Sequence, residues 1–423
     1  MHVKTILNRV HPIKGFVYHE CRFIEGPGKP RMEVTIVPDR RGRPICSNCG
    51  EPAGTYDTQE YPRRFDFVPI WNIQVVFLYC MRRVNCRRCG VKVERVPWSE
   101  GKRRTTRAYR CFLADWAKHL SWKTTAERFG ATWDTVFRSV RWVVDWGLKN
   151  RDLDNIESIG VDEVQWQRGH KYLTLVYQID SDCRRLLWLG KERTKKSFSN
   201  FFKMLDGDRP PGERRSEKIR YVCSDMWKPY LEVIGEKCIN AINILDRFHI
   251  KMKFNKAVDQ VRRDEARRLK EGGYEPVLKK SRWIFLKNPE NLTDKRATKL
   301  DELVRINLRT VRAWLLKEDF ERFWEYVRPT WAGKFLDAWC RRAMRSRLEP
   351  MKKVVTTLRG HRELIMNWFA ANGLSSGVVE GMNNKVKLIT HRSYGFRTFG
   401  ATEVALYHTL GHLPEPELTH RFC

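Results

Sequence analysis

Several features are scarce or missing in this chain of 423 residues. It has no long uncharged apolar run, which excludes a helix that spans a bilayer. Residues 1–15 (MHVKTILNRVHPIKG) lack the apolar core of a signal peptide. The chain therefore reads as cytosolic. Internal repeats and low-complexity tracts are missing as well. Acidic residues are few beside the basic ones, 50 Asp and Glu against 81 Lys and Arg, and the formal charge is +31. Such an excess repels itself in a compact state and makes sense when a polyanion covers part of the surface.

What is present is enough for folded domains. The 42% hydrophobic and 12% aromatic content supplies real cores. The length predicts two to four domains, at roughly 100–200 residues each. In a cytosolic protein the 12 cysteines are expected to be reduced, and regular spacing among them points first to metal.

The order of elements is legible in outline. Short apolar runs at 16–23, 33–37 and 73–79, broken by clusters such as Gly26-Pro27-Gly28, predict a β-rich first module. A helical period follows from 106 to 148. Strands are predicted at 172–179, 185–189, 219–223 and 241–245, with helices at 196–205 and near 229–234. Residues 251–370 read as a long charged helical block. The segment 375–410 is expected to open as a loop and continue as one helix.

Four cysteines form two C-x-x-C knuckles, Cys46 with Cys49 and Cys86 with Cys89, each followed by glycine (Gly50, Gly90). Two intervening residues let both thiolates reach one ion, and four thiolates complete a closed tetrahedral structural zinc site. Chance burial of four cysteines and a redox pair are the alternatives. The long gap between knuckles predicts a hairpin of its own there. The other eight cysteines have no such spacing and read as core or incidental.

Within the helical period, 106–120, 123–129 and 133–146 predict three helices, with Gly130-Ala131-Thr132 as the turn and Thr132 as an N-cap. This is the length and turn chemistry of a helix-turn-helix. Arg138 and Arg141 would face a DNA groove while Val136, Val140 and Val144 pack inward. A plain helical bundle with a solvated basic face is the competing reading.

Two apolar runs end in acids: Ile159–Val161 before Asp162 and Glu163, and 219–223 before Asp225. Carboxylates at the ends of adjacent strands can hold two divalent cations about 4 Å apart for phosphoryl transfer. A strand-end Asp is also commonly just a turn or cap residue. A third acid must come from elsewhere. Glu380 is the candidate, at a helix start and followed by Asn383, Asn384, Lys385 and Lys387, which would face the same phosphates. Asp246 is its rival. With His249, Asp246 either supports the site, contacts DNA, or caps the next helix with the imidazole packed beneath. Glu163 should point to the opposite face of its strand and play a minor part. Asp180 and Asp182 read as a hairpin turn, and His170 as a turn or surface residue. In the helical block, tryptophans at helical spacing read as core, while its arginines and lysines are expected to track phosphates.

Taken together, Gly160-Val161-Asp162-Glu163, Ser224-Asp225-Met226-Trp227, Asp246-Arg247-Phe248-His249, Glu380-Gly381-Met382-Asn383-Asn384-Lys385-Val386-Lys387 and Arg392-Ser393-Tyr394-Gly395-Phe396-Arg397 resemble the insertion-sequence transposases of the DDE type, in the ISL-three group. The resemblance runs over nearly the whole chain. It implies a multidomain α/β and α protein: a zinc-binding β-rich module (1–103), a helix-turn-helix (104–150), a ribonuclease H-like mixed sheet (155–250), a helical insertion (251–371) and a closing helix (372–412). By resemblance, Asp162, Asp225 and Glu380 are the catalytic triad and hold two magnesium or manganese ions, while Cys46, Cys49, Cys86 and Cys89 hold one zinc. Arg138, Arg141, Asn384, Lys385, Lys387, Arg392 and Arg397 are the expected DNA contacts. The implied reaction is hydrolysis at the element's terminal inverted repeats and attack of the freed 3′-hydroxyl on target DNA, by a dimer or larger assembly in the bacterial cytoplasm, at the nucleoid when bound. A non-catalytic zinc and helix-turn-helix regulator, or a ribonuclease H-like nuclease or resolvase without strand transfer, are the alternatives.

Overall fold

The structure is a computed structural model. It describes residues 2–25, 30–167, 169, 171–306, 308–371, 377–393 and 395–417. The expectations for Gly26-Pro27-Gly28, His170, Ser375 and Tyr394 lie outside the described residues. The chain divides into two compact units, Met1–Asp152 with Leu388–Cys423, and Leu153–Lys387. Among the described residues no helix is long and apolar enough to cross a membrane.

In chain order the first unit opens with α1 (Val3–Val10), β1 (Phe16–Ile24), β2 (Arg31–Pro38), β3 (Gly54–Thr58), β4 (Arg63–Ile70), β5 (Ile73–Tyr79), β6 (Arg82–Cys86) and β7 (Gly90–Val93). Helices α2 (Arg107–His119), α3 (Trp122–Phe129) and α4 (Trp133–Asn150) follow. The second unit holds β8 (Ser158–Gln167), β9 (Lys171–Ile179), β10 (Arg184–Lys191), α5 (Lys195–Asp206), β11 (Tyr221–Ser224), α6 (Lys228–Lys237) and β12 (Ile242–Leu245). It continues with α7 (Arg247–Glu271), α8 (Arg282–Leu286), α9 (Asp294–Arg305), α10 (Arg309–Glu321), α11 (Pro329–Arg345), α12 (Glu349–Gly360) and α13 (Arg362–Ala370). The chain returns to the first unit within α14 (Gly377–Arg392) and ends in α15 (Phe399–Leu410).

The first unit has a four-stranded sheet in the order β1-β2-β5-β4 and a three-stranded sheet in the order β3-β6-β7. The β4–β5 hairpin is the one expected between the knuckles. Its two turn residues, Trp71 and Asn72, both take positive φ (50° and 66°), which matches the twist of the flanking strands. Period-two burial explains the larger sheet. Met32, Val34 and Ile36 of β2 face inward and meet Phe65, Phe67, Val75 and Phe77. Trp98 closes this core, edge-on to Phe16, Phe65 and Tyr79.

Helices α2, α3 and α4 start on hydroxyl caps. Thr106 accepts from the Tyr109 amide, Ser121 from that of Thr124, and Thr132 from that of Thr135. Gly130, at φ 66°, ends α3. Val136, Val140 and Val144 are buried on the inner stripe of α4, as their spacing predicted. Segment 375–410 carries two helices instead of the single one expected. Gly395, at φ 83°, turns the chain in a conformation a helix does not allow, and Thr398 caps a fresh start by accepting from the Ala401 amide.

The second unit is built on a five-stranded sheet in the order β10-β9-β8-β11-β12. β8, β9 and β10 pair antiparallel, while β11 runs parallel to both β8 and β12. One face packs on α5 and α6 through Ile159, Val161, Val222, Phe198, Phe201 and Tyr230. Residues 180–183 make the expected turn between β9 and β10. The helical block α7–α13 has its own core, centred on Phe254, Phe320, Phe323 and Trp339. As expected, Trp314, Trp324 and Trp339 lie in it, whereas Trp283 and Trp331 are exposed. The buried Glu265 carboxylate fastens this block, accepting from the Arg309 and Thr310 amides and the Thr310 hydroxyl.

Candidate functional sites

The four knuckle sulfurs lie within 4.8 Å of one another. Cys49 Sγ and Cys86 Sγ are 3.6 Å apart, close to the spacing of about 3.8 Å set by tetrahedral zinc with bonds of ~2.3 Å. β3, β6 and β7 frame the group, and both knuckle glycines take the left-handed conformation (Gly50 φ 75°, Gly90 φ 70°), which frees amides to turn toward sulfur. The backbone amides of Cys49 and Asn48 donate toward Cys46 and pull its thiol down to about 7. Asn48 Nδ2 donates to Cys89 Sγ at 3.3 Å. Four soft donors in a closed shell fit zinc, and this group could bind one.

The acids of the second unit meet through strand register. Cys223 pairs with Gly160 and Ser224 pairs with Leu245. Continuing each ladder puts Asp225 in one row with Asp162 on one side and Asp246 on the other. The Asp246 amide extends the ladder, donating to the Ser224 carbonyl at 2.8 Å. Asp225 and Asp246 stand just past β11 and β12, as expected. Asp162 does not stand at a strand end. β8 runs on to Gln167 because it remains paired with β9 as far as Lys171.

Asp162 faces α14. Its Oδ2 accepts from Asn383 Nδ2 at 2.6 Å, and the Asn383 Oδ1 accepts from the buried Tyr177 hydroxyl at 2.8 Å. Asn383 was expected to face phosphates, but it is buried and bonded to these two protein partners. Gly160 makes this approach possible: a Cβ on it would lie 2.3 Å from Val379 Cγ2. Two strand residues and four helix residues both advance about 6–7 Å, so the contact at 160 and 379 repeats at 162 and 383.

Asp225 Oδ2 accepts from Arg193 Nη2 at 3.0 Å, and its Oδ1 from the Trp227 amide at 2.9 Å. Arg193 also forms an ion pair with Glu163 at 2.8 Å and lies over the Trp227 ring. Sequence reasoning missed Arg193; it follows the edge strand β10 in a stretch with no motif. Glu163 does point away from Asp162, toward Tyr230, yet it shares Arg193 with Asp225. Burial raises its carboxyl to about 7, against the opposing pull of Arg193. Asp162 is raised too, first by burial and further by Asp246 and Asp225. His249 Nε2 stands 4.0 Å from Asp162 Oδ1 and 3.6 Å from Asp246 Oδ2. Asp246 also caps α7, accepting from the Phe248 amide.

Glu380 lies on α14 one turn before Asn383, exposed, and makes no hydrogen bond or ion pair among the described residues. The oxygens of Asp162, Asp225 and Glu380 are not drawn into one tight group. Among the described residues only the cysteine quartet brings three or more such donors within 4.8 Å. The row of aspartates still fits hard divalent cations, since it offers oxygen donors, and mutual repulsion is what a cation relieves. Asn384, Lys385 and Lys387 are exposed on α14, with Glu380 and Asn384 one turn apart. Arg392 and Arg397 are exposed in the first unit. Arg138 and Arg141 are exposed on α4, beside Asp134 at 2.9 Å and Asp145 at 3.9 Å.

Residues 159–405 match the family model of the ISL3 (ISL-three) DDE transposases. The transposase for insertion sequence element IS1001 of Bordetella parapertussis is 28% identical over 387 residues, covering 91% of this chain and 92% of that protein. The transposase for insertion sequence element IS1557 of Mycobacterium tuberculosis is 30% identical over 396 residues, covering 87% of this chain and 86% of its own. Among solved structures, a chain of a pre-cleavage Mos1 transpososome overlaps 35% of this chain at 10% identity with a TM-score of 0.15, too slight a likeness to build on. The family model and the relatives agree along most of the sequence, and the chain belongs to the ISL-three family of DDE transposases.

Proposed function

We propose that this protein cuts DNA at the terminal inverted repeats of an insertion element and joins the freed 3′-hydroxyls to target DNA. The observation that carries this reading is the row formed by Asp162, Asp225 and Asp246 across three neighbouring strands, with α14 laid over it through Asn383. The strand order β10-β9-β8-β11-β12 supports a ribonuclease H-like core, with α7–α13 as the insertion before the last acid.

In this reading Asp162, Asp225 and Glu380 hold the metal. Two magnesium or manganese ions, when bound, would supply positive charge at the attacking and leaving oxygens. The protein's own part is positioning. Asn383 fixes the Asp162 carboxylate, and Arg193 with the Trp227 amide fixes that of Asp225. Asn384, Lys385 and Lys387 steady the phosphates, and Asp246 with His249 supports the row. In the first unit, α3, the turn at Gly130 and α4 act as a helix-turn-helix, with Arg138 and Arg141 toward the groove. The zinc-bound sheet β3-β6-β7 binds beside it, and two or more protomers pair the element ends. Its place of action is the cytoplasm, on nucleoid DNA.

The test is a duplex carrying the element's terminal repeat, incubated with the protein and magnesium, with hydrolysed and joined products resolved. Both should form, and Asp225→Asn should lose both while keeping its fold and DNA binding. Hydrolysis without joining would replace this reading with that of a nuclease. Binding with neither product would replace it with that of a regulator.

A further inference from the structure

A cavity of about 600 Å³ opens in the first unit between the start of α3, the start of α4 and the stretch joining α14 to α15. Its apolar wall is a cluster of rings. Trp122 is central, 5.7 Å from Trp133, 5.3 Å from Phe137 and 5.6 Å from Phe396, measured between ring centres. Trp133 stacks on Phe137 at 5.3 Å and 16°, which fixes its plane, yet it remains 47% exposed. A tryptophan held at a fixed angle and left open offers a flat face for another flat ring.

The rim is cationic: Lys123, Arg392 and Arg397 line the cavity and, among the described residues, no carboxylate does. Lys123 has a loose pair with Glu127 at 3.9 Å; among the described residues Arg392 and Arg397 have none. An aromatic floor under an unopposed positive rim matches a nucleotide, with its π-face and its phosphate. A fully paired duplex keeps its bases stacked inside and offers no free ring. We propose that this cavity takes one unpaired nucleobase of the bound DNA, stacked on Trp133, with the adjoining phosphate on Arg392 and Arg397. The proposal rests on the DNA-binding reading above and narrows it to a single-stranded nucleotide.

The experiment uses the full chain and fluorescence anisotropy with two probes, a short labelled oligothymidylate and a labelled duplex of the same length. Trp133→Ala should weaken oligothymidylate binding by about ten- to a hundredfold, the loss of one stacked base, and by a clearly larger factor than it weakens duplex binding. Trp133→Leu, which keeps bulk and removes the π-face, should do the same, and equal melting temperatures separate stacking from misfolding. If both variants bind oligothymidylate as the parent does, the proposal is wrong even though duplex binding, and with it the DNA reading, stands. If the variants change self-association and not affinity for either probe, the cavity holds protein and the proposal is also wrong. Failure of the parent protein to bind either probe would remove the DNA reading itself.

Discussion

Asn383 bridges two elements of the second unit: its Nδ2 donates to Asp162 on β8 and its Oδ1 accepts from Tyr177 on β9. The side chain that sequence reasoning turned toward phosphates is therefore the one that orients the first carboxylate. Replacing it with Ala leaves a buried hydroxyl and a carboxylate oxygen unpaired, at a cost of about 1–3 kcal/mol. Asn383→Ala should melt lower and lose end cleavage by at least about tenfold. Asn383→Asp should lose activity too, because a carboxylate there would repel Asp162.

Gly160 leaves no room for a side chain beneath α14, since a Cβ would meet Val379 Cγ2 at 2.3 Å. Gly160→Ala should destabilise by roughly 1–3 kcal/mol through overpacking and cut activity by shifting Asn383 and Glu380 together. Val379→Ala in the same chain removes the clashing methyls and should restore part of both. Thermal melts and cleavage rates of the single and double variants check this. Additive losses would show that the two residues do not share the contact.

His408 on α15 is held neutral. Burial lowers its imidazole to about 3, Lys118 adds to this, and its Nε2 has no partner among the described residues. A histidine lowered in the folded state takes up protons only on unfolding, so stability is intact above the ordinary value of 6.5 and is lost as pH falls below it. His408→Leu should flatten this acid limb while matching the parent near neutrality. Denaturant melts between pH 7 and about pH 4 measure it, and identical limbs would refute the assignment.

The zinc site should be stoichiometric and structural. Cys46→Ser or Cys86→Ser is expected to abolish the one bound zinc and to unfold β3, β6 and β7, because among the described residues the hydrophobic cluster there contains only Val84 besides the sulfurs and Ala53. Elemental analysis of the purified chain and the loss of duplex affinity after chelation are the readouts. Full zinc content in Cys46→Ser would contradict the site.

Much of this was legible in the sequence because it rests on local rules. The knuckles follow from a fixed spacing and their glycines, Thr132 from its place before a helical period, and β9 and β10 from short apolar runs separated by turn residues. What escaped depended on partners far away along the chain. Asp162 looked like a strand end because Val161 is the last of an unbroken apolar run, while β8 is prolonged by hydrogen bonds to β9 that no local pattern announces. Arg193 gained its meaning only from Glu163 and Asp225 on other strands. The break between α14 and α15 was carried by Gly395, whose left-handed turn sits inside a stretch otherwise able to be helical.

Manganese soaked into crystals of the full chain with end DNA, and located by anomalous scattering, shows which acids hold the metal. Metal is expected to contact the carboxylates of Asp162 and Asp225, with Glu380 completing the set. Peaks held by Asp162, Asp225 and Asp246 with Glu380 facing solvent would contradict the assignment of the third acid, and no peak at Asp162 and Asp225 would contradict the account as a whole.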